Sequence, residues 1–554
     1  RIFYQYTAPN GAGFQKRPNG FPPASPMSLS SPVSPSLPPP PPPTPEAAVL
    51  KSYERYKTML DDSDAEFYLT RWINALATAY DPHTGYMSPV SKEDFDIHMS
   101  IKLTGIGATL ESEDGAAKVK ELIPGGPAAR DTRDIRLRKN DKIIAVGQGD
   151  EELVDILHWP IYRSVRLIRG DIGTKVVLLV ESADDPSGAT TKIVDLIRDE
   201  VKLEDQAATS QTETLTDAEG RTRTLGVVTL PTFYAGDGRS CSADIARLLA
   251  KLNEQNVEGL ILDLRSNGGG ALNEAVSLAG LFFKTGPVVQ TVDRGRHLIL
   301  NDYDPSIAFR KPVIVMIDRF SASASEIVAA ALKDHGRAIL VGDSHSHGKG
   351  TVQQVIPLSH FGNMGSIKVT NASFYRINGS STQVKGVDAD IVLPSLLDTY
   401  TDIGEDQLPC AIPWSQIPAT QFVAITNLAP MIATLREKSD ERLAHDERWQ
   451  KHLKHLQLAK ETHDTKEIPL NIDKRREHAA TLKELKLTDA DFDDDPDLDA
   501  DARADEKAAA KRAKDVVLDE TLRILVDYID LHGPSDACGP DAPSPRDLFQ
   551  RIFQ

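Results

Sequence analysis

The residues of this chain best suited to covalent chemistry are a serine-rich turn, Ser321, Ser323 and Ser325, and a lysine set between two glycines, Gly348-Lys349-Gly350. A serine hydroxyl is a weak nucleophile until an adjacent base takes its proton. A lysine can be that base only when desolvation brings its pKa, ordinarily about 10.4, down towards neutrality. The turn Asp318-Arg319-Phe320-Ser321-Ala322-Ser323-Ala324-Ser325-Glu326 follows an apolar β-branched run, 313–317, that reads as a buried strand, and precedes a helical run, 327–332. Such a strand-to-helix turn exposes a small side chain and aims backbone N–H groups outward. A second strand, 338–341, leads to Gly348-Lys349-Gly350-Thr351-Val352-Gln353-Gln354. Helix-entry and capping roles suit Ser321 and Ser325, with Ser325 an alternative nucleophile. His345 and His347 offer a Ser–His alternative.

The elements that must position these groups alternate between strand and helix over about 190–400. Residues 225–230 and 259–264 read as strands, and 242–253 as an amphipathic helix with Ile245, Leu248, Leu249 and Leu252 on one face. The second strand ends at Arg265-Ser266-Asn267-Gly268-Gly269-Gly270, and a helix is predicted over 271–282. A triple glycine there lets the backbone approach a ligand closely. It resembles a phosphate-cradling turn but lacks the Gly-Lys-Ser/Thr that completes one, so a nucleotide-dependent enzyme is the weaker reading.

Upstream, residues 98–183 read as short strands around three turns: Gly105-Ile106-Gly107-Ala108, Pro124-Gly125-Gly126-Pro127 and Arg138-Lys139-Asn140-Asp141. Residues 165–169 read as helix. Residues 47–80 read as two helices, with Phe67, Leu69, Trp72, Ile73 and Leu76 at helical spacing, ended by Asp81-Pro82-His83-Thr84, where His83 reads as a turn residue. Residues 1–46 are Pro-rich and read as a disordered tether. Residues 413–533 read as mostly helical, most clearly over 517–531, and 534–554 as a loose tail. The acidic stretch 489–506 spaces its carboxylates like a calcium loop, but Ala500 stands where that loop needs glycine, so it reads as a solvated linker.

The chain has 554 residues and a formal net charge of −18, which argues against nucleic acid and anionic membranes as partners. No apolar run is long enough to span a bilayer. Three cysteines, far apart in sequence, imply neither a disulfide framework nor a metal site. Arg1 opens the chain without a charged-then-apolar leader, as expected of a mature form or a fragment.

Asp-Leu-Arg-Ser-Asn-Gly-Gly-Gly, Ser-Ala-Ser-Ala-Ser-Glu and Gly-Lys-Gly-Thr-Val-Gln, in that order after the strand-rich segment, resemble the carboxyl-terminal processing proteases and, within them, the tail-specific branch. The segments 374–376 and 385–391 resemble it as well. The resemblance implies a multidomain α/β fold: a crotonase-like protease core (186–412), an inserted β-rich PDZ domain (98–185), a shortened N-terminal helical region (47–97) and a C-terminal helical domain (413–533). It implies Ser323 as nucleophile, Lys349 as general base, Gln353 as orienting residue, and the N–H groups of Gly269 and Ala324 as an oxyanion hole. Glu326 and Asp334 fall at supporting positions. Gly105, Ile106, Gly107 and Ala108 would receive the C-terminal carboxylate of a substrate tail with apolar residues. No metal or cofactor is expected; an adaptor protein and a periplasmic or exported location follow from the resemblance alone. The turn 343–347 departs from the family, being longer and lacking its proline and aromatic. A PDZ scaffold without activity is therefore the rival expectation.

Overall fold

The computed structural model describes residues 65–464, apart from 114, 186–189, 217–219 and 237, together with 471–477, 515–533 and the helical positions 50, 53, 57 and 60. The Pro-rich tract, the acidic stretch and the tail after 533 lie outside the described residues. The chain divides into Arg1–Thr58 and Met59–Gln554. Of the first, Leu50, Tyr53 and Lys57 are described, all helical and exposed.

The centre of the second unit is a six-stranded sheet. Thr209–Thr216 pairs antiparallel with Thr222–Thr229, and Gly259–Asp263, Val313–Ile317, Ile339–Gly342 and Ile391–Val392 follow in parallel order. Val313–Ile317 is apolar at every position because both its faces are covered. Val313, Val315 and Ile317 join the core formed with helices Cys241–Glu254, Leu272–Gly280 and Ala324–Asp334. Ile314 and Met316 face a second core with Leu435, Trp449, Leu518, Leu522 and Leu525, on helices Ala429–His445, Glu447–Asp464 and Val516–His532.

A second sheet lies alongside in the chain's path. Ser366–Tyr375 pairs with Gly85–Met87, Gly286–Asp293 and Thr351–Pro357. The residue after Lys349 therefore leads straight into a strand, and residues near 85 are brought to the same sheet from far upstream. Helix Pro89–Ser100 follows, with Ser88 as N-cap accepting from the Ser91 N–H.

Strands Lys102–Gly105 and Asp199–Lys202 pair antiparallel and bracket a separate β unit. That unit orders its strands Ala108–Glu113, Ala116–Leu122, Lys142–Gln148, Lys175–Glu181 and Thr191–Ile197, with helix Ile161–Ile168 packed beside them and a core of its own. The boundary expected at 185 needs correction, because Thr191–Ile197 pairs along all of Lys175–Glu181. The boundary at 98 moves too, since 98–100 finish a helix. Helix Ala65–Ala77 forms as the periodicity predicts, yet it buries none of its residues, and Trp72 is 70% exposed.

Candidate active site

Strand Val313–Ile317 delivers the chain into a tight turn that ends at Ser323, the N-cap of helix Ala324–Asp334. Ser323 has φ 56° and ψ −109°, a left-handed backbone that a non-glycine residue adopts at a cost of about 1–3 kcal/mol. The surroundings enforce it. Ser321 Oγ accepts from the Asp318 N–H and donates to the Leu264 carbonyl, the Ala322 N–H donates to the Asn267 carbonyl, and Ser325 Oγ donates to the same carbonyl. Ser321 and Ser325 are fully buried structural residues, and Ser325 is not a cap. Of the three serines, Ser323 lines the cleft.

That cleft has a volume of about 400 Å³ and is lined by Gly268–Gly270, Ser323, Ala324, Lys349, Gln353 and Lys368, with apolar walls that include Phe95, Met99, Ile327 and Phe374. Lys349 Nζ donates to the Thr351 carbonyl at 2.5 Å and to Gln353 Oε1 at 2.7 Å. Burial pushes its pKa down to about 8, against the opposing pull of the Glu405 and Glu326 charges. Among the described residues no hydrogen bond joins Nζ to the Ser323 hydroxyl; the two side chains share the cleft.

Glu326 is fully buried and ties the two turns together. Its carboxylate accepts from the Ser323 N–H at 2.7 Å, Ser346 Oγ at 2.7 Å, the Gly348 N–H at 2.7 Å and the Lys349 N–H at 3.0 Å. Burial pushes its carboxyl up to about 7 against those hydrogen bonds. The divergent turn 343–347 is well anchored: Asp343 accepts from the Arg319 and Ser395 N–H groups, and Ser344 donates to Asp398. His345 meets the Arg319 guanidinium, His347 Nδ1 lies 3.8 Å from Glu405 without a hydrogen bond, and neither histidine lines the cleft. Asp334 sits at the far end of the helix, paired with Arg376 and accepting from Asn378, and does not reach the cleft.

The two N–H groups expected to form an oxyanion hole differ in their surroundings. Ala324 is the first helical residue, where the N–H has no acceptor within the helix. Gly269 lies against the turn, but its N–H closes a tight turn onto Asn267 Oδ1 at 2.9 Å. Asn267 is fully buried and donates to the Leu230 carbonyl, which fixes its amide. The Gly269 N–H is thus already engaged within the turn.

Four residues not singled out for the site prove to surround Lys349. Gln353 donates to Thr370, Thr370 to Asp81, and Gln383 bridges the Gly350 N–H and Glu405. His83, expected as a turn residue, also hydrogen-bonds Glu405 at 2.9 Å. No local pattern marks Thr370, Gln383 or Glu405; only Asp81, beside a proline in a turn, stood within a recognisable motif. In the β unit, Gly107 approaches Gly126 so closely that a Cβ would lie 2.8 Å from the Gly126 Cα. The Ile106 and Gly107 carbonyls accept from Ala128 and Ile123, and strand Ala108–Glu113 forms one edge of its sheet.

No helix among the described residues is long and apolar enough to cross a membrane. Residues 224–393 match the model of peptidase family S41, and 399–530 that of the C-terminal domain of tail-specific protease. The chain is 37% identical over 495 residues to a tail-specific protease of Haemophilus influenzae, covering 85% of this chain and 69% of that protein. It is 31% identical over 365 residues to a carboxy-terminal-processing protease of Bartonella bacilliformis, covering 64% and 76%. Among solved structures, a photosystem II D1 C-terminal processing protease is 26% identical with a TM-score of 0.35, covering 61% of this chain and 86% of that one. The serine turn and the glycine-flanked lysine fall within the first family model and the helical C-terminal layer largely within the second, and the chain belongs to peptidase family S41, in its tail-specific branch, as a serine-type carboxyl-terminal processing peptidase.

Proposed function

We propose that the protein cleaves polypeptides with a Ser323–Lys349 dyad and selects them by their C-terminal tails. The observation that carries this reading is a desolvated lysine in the same cleft as a serine held in a strained turn. Lys349 Nζ takes the Ser323 proton as Oγ bonds to the scissile carbonyl carbon, then returns it to the departing amine. Water activated by the same amine hydrolyses the acyl-enzyme. Gln353 holds the amine, and the Ala324 N–H meets the developing oxyanion. Gly269 becomes its second donor by sharing its N–H between Asn267 and the oxyanion. Glu326 and Asp334 support the fold of the site without moving protons.

The core is read as crotonase-like and the β unit as an inserted PDZ domain. Its open edge strand Ala108–Glu113 would pair with a substrate tail, with the carboxylate at Gly105–Ala108 and apolar side chains against helix Ile161–Ile168. A periplasmic or exported location and adaptor docking are parts of the same reading that rest on family likeness.

Two measurements test it. Acid-quenched turnover of an unfolded substrate should leave an acyl mass on the peptide containing Ser323; a label on another residue would overturn the nucleophile. Amidating the substrate's C-terminus should slow cleavage about tenfold or more, since the tail loses its charge-assisted hydrogen bonds; equal rates on free and amidated tails would remove the tail-capture step. The cleft also holds Lys368, whose charge pushes Lys349 down. Lys368→Met should therefore move the rising limb of kcat against pH upward by about half a pH unit, read from a pH–rate profile.

A further inference from the structure

Lys349 works, on the dyad reading, only while its amine is aimed, and its aim depends on Gln353. An amide is ambiguous in this role, because either end can face the amine. We infer that Thr370 and Asp81 are positioning residues that settle the orientation, forming a relay Asp81–Thr370–Gln353–Lys349 behind the dyad.

The direction of each hydrogen bond follows from donor counting. Asp81, 6% exposed, has no proton to give at neutral pH. Burial opposes its charge, yet hydrogen bonds from Thr84, Thr370 and the His83 and Thr84 amides hold its carboxyl below the usual range. Its Oδ1 accepts from the His83 and Thr84 N–H groups at 2.9 Å each, and its Oδ2 from Thr84 Oγ1 at 2.5 Å. Thr370 Oγ1 spends its single proton on Asp81 Oδ1 at 2.7 Å. It can then only accept, and what it accepts is a Gln353 Nε2 proton at 3.1 Å; Thr351 Oγ1 takes the other at 2.9 Å. With Nε2 so committed, Oε1 must face Lys349 Nζ, 2.7 Å away. A carboxylate more than 250 residues upstream thus orients the amide beside the lysine.

The same turn has a second arm. His83 reaches Glu405, which accepts from Gln383, and Gln383 holds the Gly350 N–H at 2.7 Å. The Asp81–Thr84 turn therefore grips the lysine segment from two sides. The charged groups felt at Lys349 are Glu405, Glu326, Lys368 and Asp81, with His347 nearby against Glu405.

Thr370→Val keeps the shape and removes the hydroxyl. Its kcat should fall roughly 10- to 100-fold with KM within about twofold, the size expected when a reacting group is misaimed. The rising limb of kcat against pH should move to lower pH, because an unaimed Gln353 no longer stabilises the ammonium. Thr370→Ser should restore both. Asp81→Ala should lose a similar factor, and the double variant should be no worse than either single one, since they remove one relay. Should valine unfold the chain, as judged by thermal melting, Thr370→Ala carries the same expectation. A Thr370→Val enzyme with wild-type kcat and pH limb, a loss confined to KM, a failed serine rescue, or multiplying losses would each overturn the relay. Lys349→Met separates this from the dyad reading on which it rests. If that variant is dead while Thr370→Val is unimpaired, the relay alone falls; if that variant cleaves, the dyad falls.

Discussion

Lys349→Met should lose peptide hydrolysis by roughly 10⁴- to 10⁶-fold and at the same time resist urea better than the wild type at pH 7. Both effects come from one cause. Methionine has no lone pair of useful basicity, so on the proposed dyad Ser323 would have nothing to take its proton. The amine it replaces is held in a dry cleft, with its pKa at about 8 instead of 10.5. Keeping the ammonium there costs about 3 kcal/mol, at about 1.36 kcal/mol for each pH unit. The folded pKa lies below the unfolded one, so the penalty is present in full below about pH 8 and is gone above about 10.5. The hydrogen bonds to Thr351 and Gln353 vanish with the amine and return about 1 kcal/mol each. A net gain of about 1–2 kcal/mol should remain at pH 7 and turn into a loss of about 2 kcal/mol at high pH, where only the missing hydrogen bonds count, as denaturant unfolding at the two pH values will show. Lys349→Arg should be equally inactive, since arginine keeps its proton, and should gain no stability. An inactive methionine variant with unchanged stability would mean that the amine is wet.

Gly269→Ala should reduce kcat by about 10²- to 10³-fold, the loss seen when an oxyanion donor is displaced. Its φ of +100° is one that alanine rarely adopts. The new methyl would lie 2.8 Å from the Ala322 carbonyl oxygen, 2.8 Å from Ser323 Cβ and 3.0 Å from the Ala324 nitrogen. Two of these are backbone atoms that hold the nucleophile turn, so the strain cannot be relieved by moving a flexible side chain. The turn itself must move, and both Ser323 and the Ala324 N–H move with it. Burst and steady-state kinetics should show slow acylation with little change in KM. Wild-type acylation in this variant would remove Gly269 from the oxyanion site.

Much of this was legible in the sequence because its signals are local. The strand-to-helix turn around Ser323, the glycines beside Lys349 and Gln353 four residues on are contiguous patterns, and the structure brings them into one cleft. The continuous apolar run 313–317 announced a strand covered on both faces, which the C-terminal helices and the core helices together provide. What stayed hidden depends on partners distant in sequence. Asp81 reads as a residue before proline until Ser366–Tyr375 pairs with Gly85–Met87 and brings Thr370 against it. Glu405 reads as one acid among many until His83 and Gln383 close on it. The engagement of the Gly269 N–H by Asn267 could have been suspected, since an asparagine two residues before a glycine commonly closes such a turn. The β unit's last strand escaped because the run at 191–197 mixes Lys192 and Asp195 with its apolar residues, and its pairing with Lys175–Glu181 is a property of the folded sheet.

The layout of these supports makes the catalytic stretch a poor cassette. Residues 224–393 hold Ser323, Lys349, Gln353 and Thr370. Grafted elsewhere, they would arrive without Asp81 and Glu405, leaving the Thr370 hydroxyl and Gln383 to find new partners. They would also bring Ile261, Ile314 and Met316 to the surface, since much of the core they join comes from the helices Ala429–His445, Glu447–Asp464 and Val516–His532. Portability in this architecture belongs instead to the β unit, whose two ends leave and return side by side through Lys102–Gly105 and Asp199–Lys202. On the proposed reading, a tail preference would travel with this unit while the Ser323 cleft stays with the rest of the chain.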